Sequence, residues 1–298
     1  MKLPLVSVLM PIYKEPIDQI IKSTQSVLTQ SYKNIELIVI VDNPKNYKAI
    51  NYLIKIAKCN PKIRIEINSK NEGIVSSLNK AFNLSKGKLI ARMDADDISV
   101  RNRLALEINF MIDNGLDLVA SNVQSISQNG NILHGKVTNY PTRDKFIKKY
   151  LRYYNCLPHP TWLVKREMFD NLSGYRDIPT CEDYDLLIRG AFLDYKYGLI
   201  SEPLLYYREN QNSISKKNDR LQKAVSEFIR RKYRTRENYT VKNVHEKVLN
   251  KFKLNSEYSN FRQSPYVNNS FMTISLLYSR IKGKVLRNII MLEENISK

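Results

Sequence analysis

Apolar residues recur along the first 95 or so residues with two periods, one typical of strands and one typical of helices. Buried strands are predicted at 6–10, 35–41, 63–67 and 89–93. Amphipathic helices are predicted between them, at 17–29, 47–57 and 78–84. Strand and helix therefore alternate four times, which is typical of a mostly parallel, Rossmann-like α/β sheet flanked by helices.

The pattern that follows is less regular. Further helices are predicted at 101–114, 143–154 and 186–193, and further strands at 117–121, 157–165 and 204–208. Residues 124–140 predict a polar hairpin that turns at Asn129-Gly130. Helix formers with many Lys and Arg dominate 219–253, and apolar residues at helical spacing return at 271–292. We therefore expect a core domain at 1–215 and a basic, mainly helical extension at 216–298.

The strand predicted at 89–93 runs into three carboxylates within four residues, Asp94, Asp96 and Asp97. Like charges about 4–6 Å apart repel by roughly 3–4 kcal/mol per pair at an effective dielectric constant near 20. Mg²⁺ and Mn²⁺ remove that repulsion, because they take oxygen ligands, often one or two carboxylates plus substrate phosphates. We expect such a metal–diphosphate site here, although the tripeptide Asp-x-Asp by itself also fits a solvated acidic loop.

Polar loops also follow the other predicted strands, at 11–15, 42–44 and 68–73. Open α/β sheets bind ligands at the carboxyl ends of their strands, so Tyr13, Asp42 and Asn71 are expected at one edge with the acidic cluster. No Gly-x-Gly-x-x-Gly follows the first strand and no Walker sequence is present, which argues against NAD and P-loop ATP sites.

A second acidic cluster, Glu182, Asp183 and Asp185, opens the helix predicted at 186–193. Acids in a first helical turn stabilise the helix by about 0.3–1 kcal/mol each, so a purely structural role is a complete alternative. Glu182 and Asp183 are adjacent, however, and cannot face the same direction. One of them is free for another role.

The formal net charge is +19, from 48 Lys and Arg against 29 Asp and Glu. Residues 215–298 contribute 19 basic and 7 acidic residues, or +12 of this total. Such a segment is either a solvated helix surface or a contact for an anionic partner; we prefer peripheral contact with an anionic membrane surface. The three cysteines are scattered, which fits a cytoplasmic protein, and no apolar run reaches the roughly 18–20 residues of a membrane span. We interpret the N-terminus as a first strand rather than a signal peptide.

Several of these motifs in order resemble the family 2 glycosyltransferases, which have the GT-A fold. The matching segments are VSVLMPIYKE (6–15), SVLTQSY (26–32), ELIVIVD (36–42), NEG (71–73), LNKA (78–81), ARMDADD (91–97), RL (103–104), GYR (174–176) and EDYD (182–185). The resemblance covers residues 4–215. It implies an inverting enzyme of bacterial surface-polysaccharide or lipopolysaccharide synthesis.

The resemblance also implies roles for individual residues. The nucleotide pocket of a probably UDP-linked sugar would be lined by Pro11, Tyr13, Glu15, Asp42, Asn71 and Gly73, with Asp42 accepting from the base. Asp94 would approach the ribose or the metal, and Asp96 would bind Mn²⁺ or Mg²⁺ that bridges the diphosphate. Asp183 would be the catalytic base, while Glu182 and Asp185 would hold the acceptor or orient Asp183.

Two departures from the family pattern change these expectations. Asp42 is followed by Asn-Pro where the family often has Asp-Gly-Ser, which puts the base and ribose contacts in question. Glu-Asn-Gln-Asn follows Arg208 where many relatives carry a histidine near the diphosphate, so Arg208 is expected to supply that positive charge. His159, between two prolines, is either a packed loop residue or an acceptor contact.

The expected partners are a nucleotide sugar and a glycan or lipid-linked acceptor, at the inner face of the cell membrane, with no nucleic acid. Two other classes stay open. A metal-dependent nucleotidyltransferase would need a Gly-rich phosphate loop after the first strand, where this chain has Pro-Ile-Tyr-Lys-Glu. A basic nucleic-acid-binding protein is permitted by the charge, but no recognised nucleic-acid motif is present.

Overall fold

The computed structural model describes residues 3–210, 219–250 and 289–294. The strands are β1 (Val6–Ile12), β2 (Ile35–Val41), β3 (Ile63–Ile67), β4 (Leu89–Arg92), β5 (Ile98–Ser99), β6 (Leu118–Ile126), β7 (Ile132–Val137), β8 (Leu163–Lys165) and β9 (Tyr197–Arg208). The helices are α1 (Ile17–Leu28), α2 (Tyr47–Cys59), α3 (Ile74–Leu84), α4 (Arg103–Asp113), α5 (Asp144–Leu151), α6 (Arg166–Asn171), α7 (Glu182–Phe192), α8 (Asp219–Thr235) and α9 (Val241–Val244).

The strands form one sheet in the order β3-β2-β1-β4-β8-β6-β9-β5, with β7 paired to β6. The first four are parallel, as the strand–helix alternation predicts. Their carboxyl ends therefore lie at one edge. The loops that leave this edge, at 11–15, 42–44, 68–73 and 94–97, are called the donor rim below.

The second half of the sheet is mixed. Strand β8 is antiparallel to β4 and β6, whereas β9 runs parallel to β6 and begins at Tyr197, seven residues before the predicted start. The strand predicted at 157–165 is only partly correct. Pro158 and Pro160 cannot donate to a strand ladder, and residues 159–161 form a 3₁₀ turn instead.

Two other sequence predictions have clear outcomes, and one strand was missed. The hairpin is confirmed, with Ile126 opposite Ile132 and Gly130 in the left-handed region at φ +91°. The helix predicted at 143–154 ends at Leu151. The two-residue strand β5 was not predicted, because its length leaves no period to detect.

Two apolar layers cover the sheet. Alternate residues of β2 belong to different layers: Leu37, Val39 and Val41 pack with α1 and α4, whereas Ile38 and Ile40 pack with α3. Because successive strand side chains point to opposite faces, a strand buried on both sides is apolar throughout.

The segment 219–253, in which helix formers dominate, is helical in its described part, 219–250, but with an interruption. Helix α8 ends at Thr235, Arg236 takes φ +55°, and helical structure resumes after Thr240, whose side chain and that of Asn243 form a capping box. Buried residues of α8 and Ile290 belong to the same apolar cluster as α7. The proposed boundary at 215 and most of 271–292 lie outside the described residues, so the division into two domains stays a prediction. In the described ranges, no helix is long and apolar enough to cross a bilayer.

Candidate active site

The acidic loop after β4 carries three carboxylates in different surroundings. Asp94, about one-third exposed, accepts from Arg92 Nη2 at 2.5 Å. Asp96 is half-buried; burial first, and then the charges of Asp94 and Glu15, raise its pKa to about 7. Asp97 is buried, and its Oδ1 accepts from the backbone N–H of Arg208 at 2.8 Å. Its Oδ2 has no hydrogen-bond partner among the described atoms.

This acidic loop has the chemistry of a divalent-cation site. Asp94 and Asp96 repel each other, and a cation between their oxygens would remove that repulsion. No group of three or more His, Cys, Asp or Glu residues able to hold a metal is found within the described ranges. Mg²⁺ is commonly bound by one or two carboxylates, with phosphate and water oxygens in its remaining coordination positions. Asp94 and Asp96 therefore fit a metal whose other ligands come from the substrate and water.

Arg92 links this acidic loop to the second acidic cluster. Its side chain is 3% exposed, it pairs with Asp94, and its Nε has no hydrogen-bond partner among the described atoms. Burial raises the pKa of both Glu182 and Asp183, and the positive charge of Arg92 opposes that rise. Both clusters thus lie within reach of one guanidinium. Sequence reasoning assigned no role to Arg92, although a lone arginine in an apolar strand was the available signal.

Asp42, at the end of β2, holds the loop that follows β3. Its Oδ1 accepts from Asn68 Nδ2 at 2.7 Å and from the backbone N–H of Glu72 at 2.8 Å, and its Oδ2 accepts from the N–H of Gly73 at 2.9 Å. Gly73 has φ +87°, a conformation that favours glycine. Asn71 is exposed, and its Oδ1 also accepts from the Gly73 N–H. The three residues predicted near the nucleotide base are therefore brought together.

The other predicted donor residues lie at the end of β1. Pro11 is half-buried on the strand, and Glu15 accepts from the backbone N–H of Tyr13 at 2.6 Å. Burial raises the pKa of Glu15, and the charge of Asp94 adds to this effect. Glu15 therefore lies within electrostatic reach of the acidic loop, as the convergence of strand ends predicts.

Glu182 and Asp183 occupy the first turn of α7. Asp183 is half-buried; its Oδ2 accepts from Asn155 Nδ2 at 2.8 Å and its Oδ1 from the N–H of Tyr184 at 2.7 Å. Burial raises the pKa of Asp183 to about 6, and burial together with Asp183 raises that of Glu182 to about 8. At neutral pH the pair therefore carries about one negative charge. Asn155 was not found from the sequence.

Asp185, in the same first turn of α7, is enclosed by two arginines. It is completely buried, and its oxygens accept from Arg176 Nε at 3.0 Å and Arg189 Nε at 2.8 Å. Arg189 also donates to the carbonyl of Gly174 at 2.8 Å. Asp185 thus ties the start of α7 to the loop before it, and its carboxylate is not exposed to a ligand.

Arg208 is buried beside the acidic loop. Its guanidinium donates to the carbonyls of Asp96, Ser127 and Gln128 at 2.8–2.9 Å, and its Nη2 has no hydrogen-bond partner among the described atoms. Its positive charge opposes the rise in the pKa of Asp96. Arg208 therefore connects the acidic loop to the β6–β7 turn, and its contact with a diphosphate stays a prediction.

His159 is packed against Tyr175 and Trp162. Its Nε2 lies 2.7 Å from the Tyr175 hydroxyl, and its ring centroid lies 4.6 Å from that of Trp162. Burial first, and then the charge of Arg92, lower the pKa of His159. Of the two roles that the sequence left open for His159, a packed loop residue and an acceptor contact, these contacts fit the packed residue. The effect of Arg92 on its pKa shows that it lies near the acidic loop.

Comparison with known proteins identifies the family to which the chain belongs. The profile of the family described as glycosyl transferase family 2 matches residues 7–173. The chain is 37% identical over 207 residues to an uncharacterized glycosyltransferase of Methanocaldococcus jannaschii, covering 69% of this chain and 71% of that protein. It is 32% identical over 218 residues to the O-antigen biosynthesis glycosyltransferase WbnJ of Escherichia coli, covering 72% and 83%.

Two solved structures have a similar fold. A mannosyltransferase of Pyrobaculum calidifontis in complex with GDP-Man and Mn²⁺ superposes with a TM-score of 0.57 at 17% identity, covering 81% of this chain and 67% of that one. Staphylococcus aureus TarS in complex with UDP-GlcNAc gives 0.56 at 14% identity, covering 70% and 60%. These likenesses support the GT-A fold. With the profile match and the close relatives, they show that this chain is an enzyme of glycosyl transferase family 2.

Proposed function

We propose that this enzyme transfers a sugar, with inversion, from a UDP-sugar to a hydroxyl of a glycan or lipid-linked acceptor. The observation that carries the proposal is that Arg92, which pairs with Asp94 in the acidic loop, also acts electrostatically on the Glu182–Asp183 pair, so both acidic clusters lie near one guanidinium. A leaving diphosphate and an attacking hydroxyl must lie on opposite sides of one anomeric carbon. Two carboxylate groups of different protonation near a single guanidinium suit these two tasks.

Asp183 is the proposed base. As the acceptor oxygen forms its bond to the anomeric carbon, the bond from that carbon to the diphosphate oxygen breaks and the hydroxyl proton passes to Asp183. Asn155 and the N–H of Tyr184 hold one oxygen each of this carboxylate, which fixes its orientation. Attack from the face opposite the leaving group inverts the anomeric configuration.

Asp94 and Asp96 are the proposed ligands of Mn²⁺ or Mg²⁺. When bound, such a cation neutralises charge that develops on the leaving diphosphate. Arg208 adds fixed positive charge beside the same loop. Among proteins of similar fold, the Pyrobaculum mannosyltransferase was solved with Mn²⁺, which supports a divalent metal here.

The nucleotide is proposed to lie on the donor rim against Pro11, Tyr13, Glu15, Asn71 and Gly73. Asp42 already accepts three hydrogen bonds, and an ionised carboxylate offers about four acceptor positions. One position is left for the N3–H of uracil. The complex of TarS with UDP-GlcNAc and the UDP-Glc-dependent WfgD of Escherichia coli, which is 32% identical over 126 residues, favour a UDP donor.

In this proposal Glu182, protonated at neutral pH, donates a hydrogen bond to the acceptor. Asp185 acts indirectly, because its salt bridges with Arg176 and Arg189 fix the start of α7. The acceptor would be lipid-linked, as the name of WfgD states for that relative.

A group of exposed arginines suits such an acceptor. Arg234 donates to the carbonyl of Arg152, and the side chains of both residues and of Arg236 are exposed. Leu193, which follows the Phe192 ring that packs against Tyr233, is 59% exposed. Exposed cations together with an exposed apolar residue fit an anionic bilayer surface. We propose peripheral binding at the inner face of the membrane.

Sedimentation with vesicles tests the membrane contact. Vesicles with about 30% anionic lipid should retain the full chain at low salt, and neutral vesicles should not. Reversing Arg152 and Arg236 to Glu should abolish retention. Equal retention of the wild type by both kinds of vesicle would remove this part of the proposal.

A screen of nucleotide sugars tests the function itself. We expect release of UDP from one UDP-sugar in Mn²⁺ and loss of that release in EDTA. Release of pyrophosphate would indicate a nucleotidyltransferase instead. Salt-dependent DNA binding without any nucleotide-sugar turnover would indicate a nucleic-acid-binding protein. Comparison of UDP- and GDP-sugars tests the assignment of Asp42 to uracil.

A further inference from the structure

Asp183 is held by an asparagine whose orientation is fixed. Asn155 Nδ2 donates to Asp183 Oδ2 at 2.8 Å, and Asn155 Oδ1 accepts from the backbone N–H of Leu157 at 3.1 Å. Because the amide oxygen is occupied by a donor, the NH₂ group must point to the carboxylate. A charge-assisted hydrogen bond of this kind favours the ionised carboxylate.

Helix α8 contacts the chain immediately before Asn155. Arg230 Nη1 donates to the carbonyl of Tyr153 at 2.6 Å, and its guanidinium carbon lies 5.7 Å from the centroid of the Tyr154 ring. Glu227, one turn earlier, accepts from Arg230 Nη2 at 2.7 Å and so orients it. The loop that carries Asn155 is thus attached to α8 by a half-buried arginine.

The same helix also contacts the chain just before Glu182. Gln222 Nε2 donates to the carbonyl of Thr180 at 3.1 Å, and the Cys181 thiol donates to the carbonyl of Gln222 at 3.7 Å. Thr180 has φ +63°, a left-handed conformation that is unfavourable for a non-glycine residue. Contacts from α8 therefore help to keep this strained residue at the start of α7.

We propose that Asn155 is the positioning residue of the base Asp183, and that helix α8, through Arg230 and Gln222, fixes both chain segments on which that position depends. The C-terminal extension would then govern proton removal from the acceptor, while donor binding stays independent of it. This inference rests on the proposed function, since it takes Asp183 as the base.

The charges around Asp183 come from several elements. Glu182 and Cys181 belong to its own helix start, Tyr175 to the preceding loop, Arg92 to β4, and Arg230 to α8, while Asp94 acts on Glu182. Replacing Asn155 with Ala leaves all of these charges in place. A shift in the pH profile of that variant therefore reports the lost hydrogen bond.

The test measures hydrolysis of the UDP-sugar that the full chain turns over, from about pH 5 to 9, together with UDP affinity by calorimetry. Asn155→Ala should lower kcat by about tenfold or more and move the acidic limb to higher pH, with UDP affinity unchanged. Arg230→Met should act in the same direction by about threefold to tenfold. Arg220→Met, which removes the same charge from an exposed position of the same helix, is the matched control and should leave kcat unchanged.

Each outcome bears on the inference. Wild-type kcat and pH profile in Asn155→Ala overturn it, and so does a parallel loss of kcat and UDP affinity in that variant. If Arg230→Met unfolds, Gln222→Leu tests the second contact from α8, and an unchanged kcat there overturns the role of the helix. Failure of the wild type to bind UDP with Mn²⁺ overturns the proposed function first and this inference with it.

Discussion

The donor rim and the surroundings of Asp183 differ in where their hydrogen-bond donors come from. Besides Asn68, Asp42 accepts from the backbone N–H groups of Glu72 and Gly73, which follow the neighbouring strand. Asp183 accepts from the N–H of Tyr184 in its own helix, and its contact with another element is the side chain of Asn155, whose loop is attached to Arg230 of α8. Backbone donors placed by a neighbouring strand follow from the fold, whereas a side-chain donor in a loop depends on a single residue. Substitutions should therefore separate two halves of the reaction, namely nucleotide binding at the donor rim and proton removal at Asp183.

The strongest test of this difference compares Asp183→Asn with Asp96→Ala. Asp183→Asn removes the proposed proton acceptor and should lower turnover by about 10³-fold while UDP binding persists. Asp96→Ala removes a proposed metal ligand and should weaken metal-dependent UDP binding by about 100-fold. Calorimetry with UDP and Mn²⁺, alongside UDP-sugar hydrolysis, measures both effects. Equal loss of UDP affinity in the two variants would show that the two halves are not separable.

The parallel half of the fold could be predicted from the sequence because its signals are local. Each of the first four strands has its own apolar run, and each polar residue of the donor rim follows its strand within a few positions. Once the strands are parallel, their carboxyl ends must meet. Asp42 and Gly73 were therefore brought together with no knowledge of side-chain contacts.

The surroundings of Asp183 could not be predicted in the same way. Asn155 lies in a loop without periodicity, and its bond to Asp183 spans 28 residues. Arg230 is one of several cations in α8, and its hydrogen bond to the Tyr153 carbonyl, which no sequence pattern indicates, is what gives it a role here. The burial of Asp185 could not be predicted from the sequence either, because it depends on two salt bridges, with Arg176 and Arg189, that form only in the folded chain.

Arg92 should affect both halves at once. Arg92→Met removes a positive charge that pairs with Asp94 and opposes the rise in the pKa of Asp183. Without that charge the pKa of Asp183 should be higher, so the acidic limb of the pH profile should move to higher pH. We expect kcat/KM to fall by about 10- to 100-fold, and Arg92→Lys to recover part of the loss because it keeps the charge. The exposed Arg101→Met is the matched control. An unchanged acidic limb in Arg92→Met, with a lower melting temperature alone, would reduce Arg92 to a structural residue.

The pH profile should separate the two acids of α7. Asp183 must be ionised to accept a proton, and its pKa is raised to about 6, so kcat should fall about tenfold per unit below pH 6. Glu182, with a pKa raised to about 8, ionises only in the alkaline range and there places a second negative charge beside Asp183. Glu182→Gln should remove the alkaline limb and keep the acidic one. Persistence of both limbs in this variant would mean that other groups titrate.

The smallest expected effect concerns Asp42 in the donor rim. In Asp42→Asn one oxygen becomes an NH₂ group, which cannot accept from Asn68 or from the backbone N–H groups of Glu72 and Gly73. Loss of one such hydrogen bond costs about 1–2 kcal/mol, so UDP affinity should fall about fivefold to thirtyfold. Turnover at saturating donor should stay within about twofold, because the contacts of Asp183 are untouched. Asp113→Asn makes the same chemical change at the exposed last residue of α4 and should alter neither quantity. A large fall in kcat for Asp42→Asn would show that the donor rim also positions the base, and the separation between the two halves would not hold.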